Sequence, residues 1–283
     1  GRINMASLVG SRVERKEDKK LLTGRGKYTA DVTFAHQTYA YFVRSPHARA
    51  EIKKVDISKA EKSSGVVAVL TGKDIVNDKI GGLIAGWRIK SEDGSDMKVP
   101  AHPPLASETV NYVGDHVAVV IAESLDEARN AAELVKVDYK VLKAVVDTAD
   151  AMKSDQIYKD IPKNLCFDWL LGDRAKVKEA FDKADKIIKI DLINNRVIPN
   201  AMEPRAANAD YNPSTEEITL YTTSQNPHLA RIIISAFNGV APENKLRVIA
   251  PDVGGGFGSK IYPYAEEVVC SWAAKKIERP VKW

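Results

Sequence analysis

The sequence contains only two cysteines, Cys166 and Cys270, and no Cys-x-x-Cys pair. Neither an iron–sulfur cluster nor a zinc site can be built from this chain alone, because both need several ligands at close spacing. Two distant cysteines also give no disulfide framework of the kind that small secreted domains use. A reducing compartment is therefore the default expectation.

Long apolar runs are also missing. No stretch approaches the roughly 20 apolar residues that a transmembrane helix needs, and residues 1–20 lack the apolar core of a signal peptide. The 42 basic and 38 acidic residues are interspersed and give a net charge of only +4. This balance is typical of a solvated surface rather than of a nucleic-acid interface. We expect a cytoplasmic protein with no nucleic-acid partner and no membrane span.

The length of 283 residues allows about two domains. In the first half, apolar runs at 39–43, 116–121 and 137–141 are typical of β-strands. Ser124 and Glu127 form a capping box after the second run, and this pair predicts that a helix begins there.

The second half alternates between helical and strand patterns. Asp173 is an N-cap residue for a predicted helix over 173–184, with Val177 and Phe181 on one face. Gly239 is placed to cap another helix at its C-terminus. The remaining predicted helices span 228–237 and 265–276, and the predicted strands span 189–194, 218–223 and 246–249.

Three segments fall outside these patterns. The stretch 81–104 is rich in Gly, Pro and charge and predicts a long loop. The polar stretch 150–164 predicts a domain boundary. Lys282 and Trp283 follow Pro280 as the start of a further strand. Because an unfinished strand leaves backbone groups unpaired, we expect the chain to be a fragment whose reading frame continues.

The most informative segment runs from Asp252 to Lys260 and has four glycines in five positions. Glycine permits positive φ and close backbone approach to a ligand, and successive N–H groups can form an anion-binding nest. The segment is neither a Walker A loop nor a Gly-x-Gly-x-x-Gly fingerprint, since Ser259 stands where each motif needs glycine. Residue chemistry alone leaves open a cofactor-binding loop and a purely structural turn.

Two other segments carry polar groups. The stretch 224–228 lies between a predicted strand and a predicted helix, where α/β sheets place ligand groups. The alternative is structural, with Ser224 or Asn226 capping the helix. Glu203 and Arg205 stand in a Met-Glu-Pro-Arg segment and can either pair with each other or fix neighbouring loops.

Taken together, these segments resemble the large subunits of molybdenum hydroxylases, in the xanthine dehydrogenase/aldehyde oxidase family. The resemblance rests on Met-Glu-Pro-Arg-Ala-Ala at 202–207, Ser-Gln-Asn-Pro-His at 224–228 and Gly-Gly-Gly-Phe-Gly-Ser-Lys at 254–260. The start of the chain, with Gly-Ser-Arg-Val at 10–13 and Val-Arg-Ser-Pro-His-Ala at 43–48, is similar to the aerobic carbon monoxide dehydrogenase branch. The resemblance covers nearly the whole chain and places it in the N-terminal part of such a subunit.

The resemblance implies an α+β fold in three parts. The expected parts are an N-terminal extension at 1–18, an α/β hammerhead domain at 19–149, and the truncated start of a molybdopterin-binding α+β domain at 150–283.

The resemblance also implies a site. In related enzymes the glutamine of the Ser-Gln segment hydrogen-bonds an oxygen ligand of molybdenum, and this role carries to Gln225. Gln225 and Phe257 would lie beside the ligands of the metal without binding it. The backbone expected to wrap the cofactor comprises Gly254, Gly255, Gly256, Phe257 and Gly258.

No catalytic residue is assigned within this chain. The general-base glutamate of the family is expected beyond Trp283, and Glu203, Glu266 and Glu267 are not assigned that role.

The implied cofactor is molybdopterin with molybdenum, in the cytosine dinucleotide form. The implied partners are a small subunit with 2Fe-2S clusters and a medium subunit with FAD, in a dimer of heterotrimers. The implied reaction oxidises carbon monoxide, an aldehyde or an N-heterocycle with water as the oxygen source. Ile261 stands where xanthine-oxidising members carry glutamate, which argues against a purine. A nucleotide-binding oxidoreductase of another class and a non-catalytic truncated paralogue remain as alternatives.

Overall fold

The computed structural model describes residues 9–283, so part of the predicted N-terminal extension lies outside the described residues. The strands are β1 (Thr38–Arg44), β2 (Ala50–Asp56), β3 (Val66–Thr71), β4 (Thr109–Val110), β5 (His116–Ala122), β6 (Lys136–Val141), β7 (Ala207–Asn212), β8 (Glu217–Thr222), β9 (Leu246–Ile249) and β10 (Val281–Lys282). The α-helices are α1 (Asp18–Leu22), α2 (Ser58–Glu61), α3 (Gly72–Asn77), α4 (Leu125–Ala132), α5 (Arg174–Asp182), α6 (Pro227–Ile232) and α7 (Ala265–Ile277).

One seven-stranded sheet forms the centre of the fold, in the order β3-β5-β1-β10-β7-β8-β9. The pairs β1–β10 and β8–β9 are parallel, and the others are antiparallel. Val281 of β10 pairs with Thr38 of β1 on one side and with Ala209 of β7 on the other. The strand predicted at Lys282 is therefore confirmed, and it joins strands of the first half to strands of the second. A second sheet has the order β4-β2-β6.

The continuous apolar run at 116–121 is confirmed as a strand that is buried on both faces. All seven residues of β5 are buried. Val119 and Ile121 belong to the main core, which includes the apolar face of α7, whereas Ala118 and Val120 belong to a second core with Ala131 of α4. A strand covered on both faces needs apolar residues at every position, and this explains why the run does not alternate.

The two predicted helix caps in this part of the fold are confirmed. The Ser124 hydroxyl accepts a hydrogen bond from the Glu127 N–H at 3.2 Å and donates to the Glu127 carboxylate at 2.9 Å. The helix predicted at 228–237 is α6, which continues as a π-helical turn over Ile233–Phe237. Gly239, with φ of +69°, follows that turn as the predicted C-terminal cap.

The predicted long loop at 81–104 is confirmed, since its only ladder contact is an isolated bridge between Lys90 and Asp96. The buried side chain of Asn238 anchors the beginning of this loop by donating to the carbonyls of Gly81 at 2.9 Å and Gly82 at 2.8 Å. The end of the α6 region therefore fixes where the loop leaves the core.

The stretch 167–200 is exposed at every residue. Asp173 caps α5 as predicted, with its carboxylate accepting from the Lys176 N–H at 3.1 Å. The apolar face of α5 is not buried, because Val177 is 54% and Phe181 is 55% exposed. The strand predicted at 189–194 is wrong: no strand forms there, since none of the described residues pairs with its backbone groups.

Limited trypsin digestion should cut the chain within residues 167–200 about tenfold faster than within any of the six strands β1 to β6. A helix of nine residues without tertiary packing is marginal in water, so this stretch opens at little cost. Mass spectrometry of the early fragments identifies the first cut, and a first cut inside β1 to β6 would contradict the expectation.

No helix within residues 9–283 combines the length and apolar character that crossing a bilayer requires.

Candidate functional site

The order and direction of β7, β8 and β9 bring the three sequence segments together. These strands are neighbours in the sheet. β8 and β9 are parallel, so the segments that follow them leave the sheet at the same edge. β7 is antiparallel to β8, with Ala207 opposite Thr222, so the segment that precedes β7 lies at that edge as well. Residues 202–206, 223–228 and 250–260 therefore converge, although the sequence separates them.

Glu203 holds the beginning of the glycine loop. Its carboxylate accepts a hydrogen bond from the Gly254 N–H at 2.6 Å, and its own N–H donates to the Gly254 carbonyl at 3.2 Å. A Cβ on Gly254 would lie 2.5 Å from the Glu203 Cβ, so only glycine fits here. The buried Lys260 ammonium closes the clamp by donating to the Glu203 carbonyl at 2.6 Å.

Gln225 is held by the far end of the same loop. Its carboxamide oxygen accepts from the Gly258 N–H at 2.9 Å and from the Lys260 N–H at 3.3 Å. These two donors fix the orientation of the amide, because only its oxygen can accept them. The NH₂ group has no acceptor among residues 9–283, and the side chain is exposed. Gln225 therefore presents a positioned hydrogen-bond donor outward from the loop.

The backbone of the loop is shaped to bind an oxygen-rich group. Gly255, Phe257 and Gly258 have φ values of +101°, +51° and +91°. Within residues 9–283, the N–H groups of Gly255, Gly256 and Phe257 have no acceptor. Consecutive free N–H groups in such a turn form an anion-binding nest.

One side of the glycine loop packs closely on Gln225, and its other side is open. A Cβ on Gly256 would lie 2.4 Å from the Gln225 carboxamide oxygen, whereas a Cβ on Gly258 would have no atom within 4 Å. Phe257 is 74% exposed. The loop thus packs tightly on Gln225 and leaves its other side accessible to a ligand.

Arg205 and Glu203 do not pair with each other, and each fixes a loop instead. The Arg205 guanidinium donates to the Ser259 carbonyl at 3.0 Å and to the Glu267 carboxylate at 2.6 Å. It also stacks 3.7 Å from the centre of the Tyr264 ring. Arg205 thereby ties the end of the glycine loop to the first turn of α7.

Glu267 is buried between these groups. Burial raises the pKa of the Glu267 carboxyl, while the Arg205 charge and hydrogen bonds from the Tyr264 N–H and the Thr222 hydroxyl oppose that rise. The Thr222 contact is 2.8 Å and joins α7 to the end of β8. Glu267 is therefore part of the support of the site.

Glu266 points in the opposite direction, toward β1 and β5. Its carboxylate lies 2.6 Å from the Arg44 guanidinium and 2.7 Å from Nε2 of His116. Burial raises the pKa of Glu266, but the His116 hydrogen bond and the charges of His116 and Arg44 outweigh burial and lower it to about 2. Glu203, Glu266 and Glu267 thus all bind protein groups and hold neighbouring segments in place.

Acid should remove the contribution of Glu266 to stability. Its folded pKa of about 2 lies below the ordinary value of 4.5, so the contribution is complete above pH 4.5 and is lost as pH falls toward 2. We expect Glu266→Gln to abolish about 1 kcal/mol of the stability change between pH 6 and pH 4. Urea unfolding at the two pH values measures this change. Glu217→Gln, at an exposed position, is the control, and equal pH dependence in the two variants would contradict the assignment.

The N-terminal part also contacts the loop, which sequence analysis missed. The Asp252 carboxylate accepts from the Lys20 ammonium and from the Lys27 N–H, at 2.6 and 2.8 Å. In the sequence, the charged residues Asp252 and Lys260 flank the glycine run, and their charges could have indicated that distant segments bind there. No group of three or more His, Cys, Asp or Glu side chains suited to a metal ion occurs within residues 9–283.

Two family models match the chain. The aldehyde oxidase and xanthine dehydrogenase a/b hammerhead domain matches residues 23–143, and the molybdopterin cofactor-binding domain matches residues 157–283. The predicted fold class, a hammerhead followed by a molybdopterin-binding region, is therefore confirmed.

Curated relatives and solved structures agree with these matches. The chain is 35% identical to the nicotine 6-hydroxylase large subunit of Paenarthrobacter nicotinovorans, over 98% of its length, and 35% identical to the carbon monoxide dehydrogenase large chain of Afipia carboxidovorans, over 97%. The chain spans only about a third of the length of these relatives, 33% of the nicotine 6-hydroxylase subunit and 34% of the carbon monoxide dehydrogenase chain. Among solved structures, the Cu,Mo-CO dehydrogenase and the quinoline 2-oxidoreductase of Pseudomonas putida 86 both superpose with a TM-score of 0.85 over 97% of this chain, at 34% and 30% identity. The match covers 35% and 34% of those chains.

The family matches extend over both halves of the chain. The relatives and solved structures match over 97% or more of the chain. The chain belongs to the xanthine dehydrogenase/aldehyde oxidase family of molybdopterin-binding large subunits.

Proposed function

We propose that this chain is the cofactor-binding part of a molybdenum-dependent oxidoreductase. The observation that carries the proposal is the glycine loop, whose free N–H groups lie next to the outward-facing amide of Gln225. The matched molybdopterin cofactor-binding domain supports the same assignment. When bound, the molybdenum cofactor supplies the two-electron redox centre and the site of substrate oxidation.

The residues of this chain would bind and orient the cofactor. The nest at Gly255, Gly256 and Phe257 would donate hydrogen bonds to its oxygen atoms, and the Gln225 NH₂ group would donate beside the reacting centre. A neutral amide orients a polar ligand without adding charge. Arg205 and Glu203 would keep the loop in this shape through their contacts with Ser259 and Gly254.

The substrate class is a small carbon compound: carbon monoxide, an aldehyde or an N-heterocycle, with water as the oxygen source. Relatives of this chain are named for nicotine, carbon monoxide and aldehydes. Ile261 follows the glycine-loop lysine and would offer a purine no carboxylate.

Electrons would leave through other subunits, because the two cysteines of this chain cannot ligate a cluster. We propose a 2Fe-2S small subunit and an FAD-binding medium subunit, in a cytoplasmic dimer of heterotrimers. The cofactor would carry the cytosine dinucleotide form of molybdopterin.

The test is the composition of the native complex, purified through a tag on this chain. We expect about one molybdenum and one pterin per chain, cytidine monophosphate after acid hydrolysis, and iron and flavin in partner subunits. A complex with bound NAD and no molybdenum or pterin would identify an oxidoreductase of another class. A chain that binds none of these groups would be a non-catalytic paralogue, and either result would overturn the proposal.

A further inference from the structure

A cavity of about 760 Å³ is lined by residues of the first half of the chain and by Tyr158. The loop 81–104 forms one wall, the stretch 106–115 forms the other, and Tyr158 contributes to the lining. None of the residues assigned to the cofactor lines it. A cavity of this size is large enough for a small organic molecule.

The walls are held in place by contacts on both sides. Asn238 anchors the loop at Gly81 and Gly82, and the Leu83 N–H donates to the His102 carbonyl at 2.8 Å. Farther along, a Cβ on Gly86 would lie 2.2 Å from the Tyr262 ring, so the loop packs directly on that side chain. The cavity is therefore largely formed before any ligand arrives.

A residue with a buried carboxylate, Asp115, is among those that line the cavity. Asp115 is only 5% exposed, and its carboxylate accepts from the Asn111 N–H at 3.0 Å. Burial raises the pKa of Asp115, because the charged form loses its hydration. A cation placed against this carboxylate would restore the lost stabilisation.

Aromatic rings stand beside the carboxylate. The rings of His102 and Tyr112 meet edge to face with centroids 5.9 Å apart, and Tyr158 is also among the lining residues. Burial lowers the pKa of His102, which favours its neutral form and avoids a competing positive charge. Electron-rich aromatic faces attract organic cations.

Basic residues are absent from this lining. Lys and Arg make up 42 of the 283 residues of the chain, yet none of the residues lining the cavity is Lys or Arg. The rest of the lining is mostly apolar, with Leu83, Ile84 and Val99 among its members. An apolar chamber with a buried acid, aromatic rings and no basic group suits an organic cation rather than an anion or a neutral lipid.

We propose that this cavity binds an organic cation, an amine that is protonated or quaternary and carries an aromatic or alicyclic body. The nitrogen would face Asp115 and the rings of Tyr112 and His102, and the body would lie against the apolar wall. This binding goes beyond the proposed function and needs no cofactor, so it can fail while the proposed function stands.

The test is a binding titration of the complete native protein that contains this chain, followed by ligand-observed NMR or calorimetry, with three matched probes. Benzyltrimethylammonium is a permanent cation, benzyl methyl ether is neutral, and phenylacetate is an anion. We expect the cation to bind at least about tenfold more tightly than either of the others. Equal binding of cation and ether, or no binding of the cation, would overturn the proposal.

Variants locate the binding. Asp115→Asn keeps the shape and removes the charge, so it should weaken cation binding about tenfold, whereas Asp126→Asn, on the exposed first turn of α4, should leave it unchanged. Ala101→Trp places an indole at the exposed rim of the cavity and should abolish binding, which keeps the test decisive if Asp115→Asn fails to fold. Unchanged affinity in either cavity variant that folds would refute the site.

Discussion

Gln225→Ala should lower turnover per bound molybdenum by about 10²–10³-fold in the complete enzyme, the usual loss for one positioned donor at a reacting centre. The donor is the Gln225 NH₂ group, whose direction is set because the carboxamide oxygen accepts the N–H groups of Gly258 and Lys260. The same substitution should lower the free energy of unfolding by only about 1 kcal/mol, since the side chain is exposed and loses hydrogen bonds rather than core packing.

Gln225→Glu separates the two contributions of this side chain, which are the anchoring of the loop by its oxygen and the outward hydrogen bond from its NH₂ group. A carboxylate oxygen can still accept from Gly258 and Lys260, so the loop keeps its anchor, but the outward donor is lost. If the donor acts on the reacting centre, Gln225→Glu should lower turnover about as strongly as Gln225→Ala. If Gln225 only anchors the loop, Gln225→Glu should retain activity.

The measurements are turnover per molybdenum, molybdenum content per chain and the thermal midpoint. Normalising to molybdenum matters, because poor cofactor insertion imitates a catalytic defect. Turnover per molybdenum within about threefold of wild type in both variants, far from the expected loss, would remove Gln225 from the reacting centre.

The elements that support this site were predictable because their signals are local. β8, β9 and α7 lie within one or two residues of their predicted bounds. An apolar run of strand length, a glycine after a helix and a polar cap before one act within a few residues, so no knowledge of the whole fold is needed. The cap at Asn226 is an example, since its side chain accepts from the Leu229 N–H at 3.2 Å.

The failures come from interactions that are distant in sequence. The stretch 189–194 alternates as a strand does, yet a strand also needs a neighbour, and the described residues supply none. The contacts of Glu266 with Arg44 and His116 join residues more than 100 positions apart. The sequence could not choose between a Glu203–Arg205 pair and two separate loop anchors, because the strand order brings the loops to these side chains.

The site residues depend on both kinds of signal, local composition and contacts that are distant in sequence. The glycine loop could be singled out by composition, and its shape is consistent with the prediction, with positive φ at Gly255, Phe257 and Gly258. The assignment of these residues and of Gln225 to a cofactor remains a prediction that binding and turnover must test. The direction of the Gln225 amide required the fold, because its two partners come from the far side of the loop.

Arg205→Ala should cost about 3–5 kcal/mol of unfolding free energy, the largest stability effect that we expect at this site. The substitution leaves the fully buried Glu267 carboxylate without its cationic partner, and it also removes the bond to the Ser259 carbonyl and the stacking on Tyr264. Arg205→Lys keeps the charge but cannot donate in two directions from one plane, so an intermediate loss is expected.

A double variant distinguishes the buried charge from simple loss of contacts. In Arg205→Met with Glu267→Gln, the orphaned carboxylate is absent, so stability should recover by about 1–3 kcal/mol relative to Arg205→Met alone. Urea unfolding of wild type, both single variants and the double variant at pH 7 gives the coupling energy directly. Additive losses would show that the Glu267 charge is not what makes Arg205 indispensable, and the support of the glycine loop would then rest on the Ser259 contact and the Tyr264 stacking alone.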